Sequence, residues 1–393
     1  MTQNLIITYT RSGKNQAENV CRELNNLFLK RHNLLKQEIE QYKETGRFVN
    51  QCHLTSLKQK IENIEAQIGR NVGTNGLIQP MAPKYIEFAS TEYKIEFNAV
   101  RGGKVFIITN PYEAVPLTVP KGYRHRNIPE NDNELYHLMG GLNIDGSAYN
   151  VSVVSPYLSN ARQDHREGKR EITTLRTHLR LLTSVNIENL LIFDAHTVSI
   201  TAMLNAHVDN LYASKRILQK LKEYFGEDLK NFVLCSPDAG GVKRTQKFND
   251  ALDLPRVRNE KERDNSKANT IKESKLYGDV KDKIVLVPDD IIDSGGTMKE
   301  LIDNAIEKGA KGVVIIATHA LFTKESHKMF DEYHKQGKLL KIYTTDSIER
   351  EPEFLDKYGE WFVQIPLAPI IATSIYAIIQ EESMGRIHEE EDM

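Results

Sequence analysis

Short apolar, β-branched runs recur along this chain, each followed by a turn and a stretch of helical periodicity. They are Leu5–Thr8, Val105–Thr109, Val151–Ser155, Leu190–Phe193, Phe232–Cys235, Ile284–Val287 and Val313–Thr318, and Leu340–Tyr343 and Trp361–Ile365 extend the series. Strands this apolar on both faces belong in parallel sheets covered by helices on either side. The pattern predicts an α/β fold made of two doubly wound parallel-sheet units. A length of 393 residues suits two such units, each burying its own core. We expect an N-terminal unit over 1–211, a C-terminal unit over 212–373, and a C-terminal helix with an acidic tail over 374–393.

Between Asn26 and Gln67 the alternation stops. NLFLKRHNLLKQEIEQYKE and LTSLKQKIENIEAQI both carry apolar residues at helical spacing, with GRFVNQC between them. This segment reads as a helical hairpin inserted into the first unit, a structural decoration in preference to a partner contact. Its removal is expected to leave the fold intact.

Charge and cysteine usage exclude several classes. A formal net charge of -2 gives no global attraction to nucleic acid or to an anionic membrane, so any phosphate-binding charge must be local. Cys21, Cys52 and Cys235 lie far apart with no CxxC spacing, and read as reduced thiols. The first residues lack the basic flank and apolar run of a signal peptide, and no stretch is long enough to span a bilayer. A cytoplasmic protein without membrane or nucleic-acid partners is expected.

Ligands in open α/β sheets sit beyond the carboxyl ends of the strands, which directs attention to the loop after each run. After Ile284–Val287 come Asp289 and Asp290, then Asp293, Ser294, Gly295, Gly296 and Thr297, leading into a helix near Met298. Two glycines let backbone amides approach an anion, Ser294 and Thr297 add hydroxyl donors, and a helix N-terminus favours negative charge. Asp289 and Asp290 would repel phosphate but suit sugar hydroxyls, so the loop fits a ribose 5-phosphate unit. The competing reading is an acidic turn capping a helix.

Other loops after strands have their own chemistry. Gly240 and Gly241 in SPDAGGVKR can offer amides, and Asp238 can meet a metal or a ribose hydroxyl; a plain glycine turn fits equally. An oxygen ligand such as Asp194 with the His196 imidazole beside it could hold a cation, although a lone His is more often a hydrogen-bonded loop residue. Arg162, Gln163, Asp164 and His165 form a charged tract in which Arg can fork onto phosphate and Gln can meet a base edge; a solvated loop is the alternative. Phe88 could stack on a purine or lie in the core. The polar stretch Asn259–Ser274 reads as a mobile loop whose cationic residues could close over a transferring group and neutralise developing charge.

Taken in order, these passages resemble the ribose-phosphate pyrophosphokinases, or phosphoribosyl pyrophosphate (PRPP) synthetases, from Glu87 to Arg386. DDIIDSGGT is similar to the PRPP loop shared with phosphoribosyltransferases, and ARQDH to the family's nucleotide tract. The resemblance implies units of phosphoribosyltransferase type and transfer of pyrophosphate from ATP to the anomeric hydroxyl of ribose 5-phosphate, with AMP leaving. It assigns Phe88, Glu92, Arg162, Gln163, Asp164 and His165 to ATP, and Asp289, Asp290 and Asp293–Thr297 to ribose 5-phosphate. Asp238, Gly240 and Gly241 fall on the pyrophosphate side, Asp194, His196, Asp209 and Asp238 on magnesium, and Lys261 with Arg263 on catalysis. Because the Phe88 loop serves a neighbouring subunit in the family, a homo-oligomer is implied, a dimer at least and a hexamer by family habit. Ser90, Thr91, Asn205 and Glu262 depart from the family pattern and motivate a second reading, a catalytically silent regulatory subunit. A phosphoribosyltransferase is the third, opposed by the nucleotide tract and the two-unit length.

Overall fold

The computed structural model describes residues 4–45, 51–70, 78–114, 117–119, 122–124, 126–166, 168, 170–197, 199–237, 242–263 and 271–385. In chain order the first part carries β1 (Leu5–Tyr9), α1 (Lys14–Thr45), α2 (Gln51–Arg70), a hairpin of β2 (Lys84–Glu87) and β3 (Tyr93–Glu96), and β4 (Lys104–Ile108). A small ribbon of β5 (Leu117–Val119) and β6 (Gly122–Arg124) comes next, then α3 (Ile128–Gly140), β7 (Asn150–Val154), α4 (Thr174–Ser184), β8 (Ile187–Phe193), α5 (Ile200–Met203) and β9 (His207–Leu211). Strands β1, β4, β7, β8 and β9 form one parallel sheet in that order.

The second part begins with α6 (Ser214–Phe225), followed by β10 (Phe232–Ser236), α7 (Val242–Leu252), β11 (Arg256–Arg263), β12 (Ile271–Tyr277) and β13 (Ile284–Ile292). It continues through α8 (Gly296–Glu307), β14 (Gly312–Ala320), α9 (Ser326–Lys335), β15 (Leu339–Thr345), α10 (Pro352–Tyr358), β16 (Phe362–Ile365) and α11 (Ala368–Gln380). The sheet order is β12-β11-β10-β13-β14-β15-β16, parallel except for β12. From β10 the chain moves outward to β11, whereas from β13 it moves the opposite way to β14. The carboxyl ends of β10 and β13 therefore open a crevice where the winding reverses.

Alternation along the strands sorts the core into layers. Val105, Ile107, Val151 and Val153 pack with α3 and α4, while Val233, Val285, Val287 and Ile315 pack with α8. The opposite faces of both sheets share a third cluster, in which Ile7, Phe106 and Val154 of one sheet join Leu234, Leu286 and Ile316 of the other through α1, α6 and α11. The two units thus have a common apolar layer in addition to their private cores, where sequence periodicity predicts private cores alone.

Three expectations need correction. The strand expected at Ile284–Val287 runs on to Ile292, so Asp289 and Asp290 lie within it and not after it. The stretch expected as a loop from Asn259 to Ser274 is largely strand: β11 and β12 pair antiparallel, with Lys261 opposite Ser274 and Arg263 opposite Ile271. Its residues 264–270 lie outside the described residues. The insertion is also less separable than expected. No Gly or Pro interrupts the chain from Lys14 to Thr45, so the helix after β1 simply continues through Asn26. Leu27, Phe28 and Ile64 belong to the shared core, and the Phe28 ring meets Tyr376 of α11 edge-on at 5.1 Å. Deleting residues 26–67 would remove core, not decoration. Among the described residues no helix is long and apolar enough to cross a membrane.

The start of α11 is fixed by Asp346, whose Oδ1 accepts a 2.8 Å hydrogen bond from the Leu367 N–H. Burial, with the nearby Glu349 charge, pushes the Asp346 carboxyl up to about 7. An acid whose folded pKa exceeds its unfolded value lowers stability as pH rises between the two, and the loss is complete above the folded value. We predict that Asp346 makes the protein less stable at pH 8 than at pH 5. Asp346→Asn, which keeps the acceptor without the charge, should flatten that difference in urea unfolding measured at both pH values. An unchanged pH profile in the variant would remove Asp346 as the source.

Candidate active site

The carboxyl edges of the two sheets face one another, and a polar seam joins them. His319, at the end of β14, is buried between the sheets: its Nε2 lies 3.2 Å from the Phe193 carbonyl at the end of β8, and its Nδ1 2.9 Å from Ser347 Oγ beyond β15. A carbonyl only accepts, so Nε2 carries the proton. Next to it Thr318 donates to Asp194 at 2.7 Å, and Asn110 beyond β4 donates to the Ser347 carbonyl at 2.9 Å. Asp194 turns the chain in the left-handed conformation (φ 42°), a geometry that Asp tolerates better than most residues.

Candidates from different parts of the sequence meet on this seam. His196 Nδ1 lies 2.6 Å from Asp290 Oδ2, joining the loop after β8 to β13. Arg162, from the loop after β7, donates to Asp293 Oδ2 at 2.5 Å, while Thr323 takes Asp293 Oδ1 at 2.6 Å. Ser326 donates to the Asp293 carbonyl at 3.2 Å. Asp293 is therefore held through both carboxylate oxygens, with its charge met by Arg162, and the backbone amides beyond it open the next helix. Those amides start α8: Gly295 has φ 75°, and a Cβ there would come within 3.0 Å of Met329 and 3.1 Å of Phe330. Glycine is the residue for that turn on both counts. Asp290 is buried and Asp289 half-buried, with the Asp289 carboxylate accepting from the Asp290 N–H at 2.9 Å.

The tract carrying Arg162 is braced from beneath by residues that sequence patterns did not single out. Ser159 donates to both oxygens of Asp132 on α3 (3.0 and 2.8 Å). Its hydroxyl lies 3.4 Å from His178 Nε2 on α4, and Tyr136 OH is 2.6 Å from His178 Nδ1. Tyr136 donating to Nδ1, Nε2–H to Ser159 and Ser159 to Asp132 satisfies every member in turn. Burial pushes Asp132 up to about 6 and His178 down to about 4, consistent with a neutral imidazole in this chain of bonds. A little further on, His165 Nδ1 lies 2.6 Å from Asp164; burial opposes the Asp164 charge, yet this partner holds its carboxyl below the ordinary range.

The remaining candidates stand apart from the seam or outside the described residues. Phe88 is exposed at the tip of the β2–β3 hairpin. The tip is closed by Phe88 N–H to the Glu92 carbonyl at 2.7 Å and by Ser90 Oγ donating to the Glu92 carboxylate at 2.8 Å. The unusual Ser90 thus holds Glu92 in place, and Thr91 sits in the left-handed region (φ 70°). Gln163 is exposed in the loop beside Arg162. Asp209 on β9 pairs with His207 at 3.3 Å and has its other oxygen buried without a hydrogen bond. Lys261 and Arg263 lie on β11. Asp238, Gly240 and Gly241, between β10 and α7, lie outside the described residues.

Among the described residues no three His, Cys, Asp or Glu side chains cluster to hold a metal ion. Magnesium in nucleotide sites takes few protein ligands and completes its shell with phosphates and water. An oxygen from Asp194 and a ring nitrogen from His196, two residues on, fit that sparse requirement.

The residues Ile6 to Val185 match the N-terminal domain of ribose phosphate pyrophosphokinase, and His207 to Phe362 match the phosphoribosyl transferase domain. A ribose-phosphate pyrophosphokinase of Porphyromonas gingivalis is 32% identical over 320 residues, spanning 80% of this chain and 92% of that protein. One from Ureaplasma parvum is 33% identical over 266 residues, spanning 67% of this chain and 77% of the relative. The crystal structure of phosphoribosylpyrophosphate synthetase from Mycobacterium smegmatis shares the fold, with a TM-score of 0.71 at 22% identity over 96% of this chain and all of that one. On the strength of these likenesses, the chain belongs to the ribose-phosphate pyrophosphokinase family.

Proposed function

We propose that this protein makes PRPP from ATP and ribose 5-phosphate, by transfer of the intact β,γ-pyrophosphoryl group and release of AMP. The observation that carries this reading is the meeting of the nucleotide tract with the sugar-phosphate loop: Arg162 on Asp293 at 2.5 Å and His196 on Asp290 at 2.6 Å. Two substrates held by these segments would lie side by side at the carboxyl edges of both sheets. A plain phosphoribosyltransferase needs no such second segment.

In this reading the amides and hydroxyls of Ser294–Thr297, at the N-terminus of α8, hold the 5-phosphate. Asp289 and Asp290 accept from the ribose hydroxyls, which orients the anomeric oxygen. That oxygen attacks the β-phosphorus, the bond to the α-phosphate oxygen breaks, and AMP leaves. Arg162, Gln163, Asp164 and His165 bind ATP, and Phe88 stacks on the purine beside Glu92, in the site of a neighbouring subunit if the homo-oligomer of the family forms. Asp238, Gly240 and Gly241 take the pyrophosphate side. Bound magnesium supplies charge neutralisation of the phosphates; Asp194 and His196 are the residues that would hold it, with Asp209 and Asp238 as further candidates. Lys261 and Arg263, carried on the β11–β12 ribbon, neutralise charge on the transferring group. No protein nucleophile enters, because positioning and electrostatics suffice for this chemistry. A cytoplasmic site of action accords with the ATP it consumes.

The direct test is AMP and PRPP formation by purified protein with ATP, magnesium and ribose 5-phosphate; equal amounts of both products are expected, and none would overturn the reading. Lys261→Ala should reduce turnover by about a hundredfold or more while ribose 5-phosphate still binds. Unaltered turnover would take Lys261 out of catalysis. Gly295→Ala should cost about 1–2 kcal/mol through left-handed strain alone, and more through contact with Met329 and Phe330. Gly296→Ala, where a Cβ meets nothing within 4 Å at the first residue of α8, should hold or slightly raise the melting temperature. Equal melting temperatures for the two variants would count against the strained turn.

A further inference from the structure

The hairpin that carries Phe88 and Glu92 has little apolar anchorage: Ile95 of β3 packs, partly buried, against the core of the first sheet. No residue of β2 or β3 is fully buried, and a two-stranded hairpin is marginal by itself. What fixes its tip end is a guanidinium. Arg11, in the turn after β1, donates from Nη1 to Glu87 Oε1 at 2.6 Å, and its carbon lies 4.6 Å over the Tyr85 ring and 5.5 Å over the Tyr93 ring. It thereby grips both strands of the hairpin at the residues next to the Phe88–Glu92 tip. From its other side, Nε and the backbone N–H of Arg11 donate to the two oxygens of Glu134 at 2.8 and 2.6 Å.

Glu134 is the fixed end of this clamp. Its side chain is fully buried on α3 and also accepts from Arg126 at 2.6 Å. Burial works against the Arg11 charge, but Glu134 and Glu87 outweigh it and raise its pKa. A second tie runs from Tyr93 OH to His137 Nδ1 at 3.0 Å, again on α3. The hairpin is therefore referenced to α3, the same helix whose Asp132 braces the Arg162 tract.

We propose that Arg11 is a positioning residue for nucleotide binding, acting through Glu87, Tyr85 and Tyr93 to hold the hairpin at the angle that presents Phe88 and Glu92 to the purine. The inference rests on the PRPP-forming reading above and adds a residue outside the segments that touch substrate. A delocalised cation near the faces of two aromatic rings, with donors forked onto two carboxylates, is a task for Arg and not for Lys.

Steady-state kinetics of the full-length protein, with ATP and ribose 5-phosphate varied separately, test it. Arg11→Ala should raise KM for ATP about tenfold, the scale of one lost charge-assisted interaction, with KM for ribose 5-phosphate and kcat at saturating ATP within about twofold. Arg11→Lys should lie between the variant and the wild type. Should Arg11→Ala fail to fold, Glu87→Gln weakens only the exposed outer arm, and about a threefold rise in KM for ATP is expected. An unchanged KM for ATP in every folded variant overturns the proposal, as does a fall in kcat alone, while PRPP formation by the wild type stands. Wild-type protein that forms no PRPP overturns the functional reading instead.

Discussion

The site depends on two parallel sheets meeting carboxyl edge to carboxyl edge, and the meeting rests on polar groups that water cannot reach. The buried His319 imidazole binds the Phe193 carbonyl of one sheet and the Ser347 hydroxyl beside the other, and Thr318 reaches Asp194 next to it. Such groups are costly to leave unpaired, so the two edges have one relative placement in which all are satisfied. The loops that leave β7 and β8 are thereby brought to the end of β13. That is why Arg162, His196, Asp290 and Asp293, spread over much of the sequence, come within hydrogen-bond reach in pairs.

The strands were legible because they are buried on both faces and so had to be written in continuous apolar residues. Val313–Thr318 lies wholly buried in β14, and Ile284–Val287 in β13 is nearly so. The β11–β12 ribbon was not legible for the opposite reason. In RVRNEKER only Val257 is a buried apolar residue, and the pairing is carried by backbone bonds that leave little mark on composition. The span of α1 was hidden by a break in polarity, not in helix propensity: the chain becomes more exposed after Phe28 without any residue that ends a helix.

Of the candidate site, the place of the glycine turn was readable, since Gly295 has a conformation that few other residues adopt, but the strand before it and the helix after it both run closer to the turn than the sequence suggests. What sequence could not supply was the partner of each side chain. Asp293 looked like one more phosphate-loop acid, yet both of its oxygens are occupied by Arg162 and Thr323. Asp132, Ser159 and His178 each look like ordinary polar residues on helices and turns, and only their burial together identifies them as a brace. Thr318 and His319 offered one usable signal, polar residues at the carboxyl end of an otherwise apolar strand.

The packing of α1 on α11 ties the history of the chain to its shape. α1 is made long before α11, yet Phe28 and Tyr376 share one contact in the common layer. Until α11 has been made, the Phe28 end of the stripe Val20–Leu24–Phe28 lacks its Tyr376 neighbour and must be sheltered by collapse or by a chaperone. Contacts this distant along the chain slow folding. They also bind the two units into a single cooperative melt, so a chain shortened before α11 would be left with an open core and not with an intact first half.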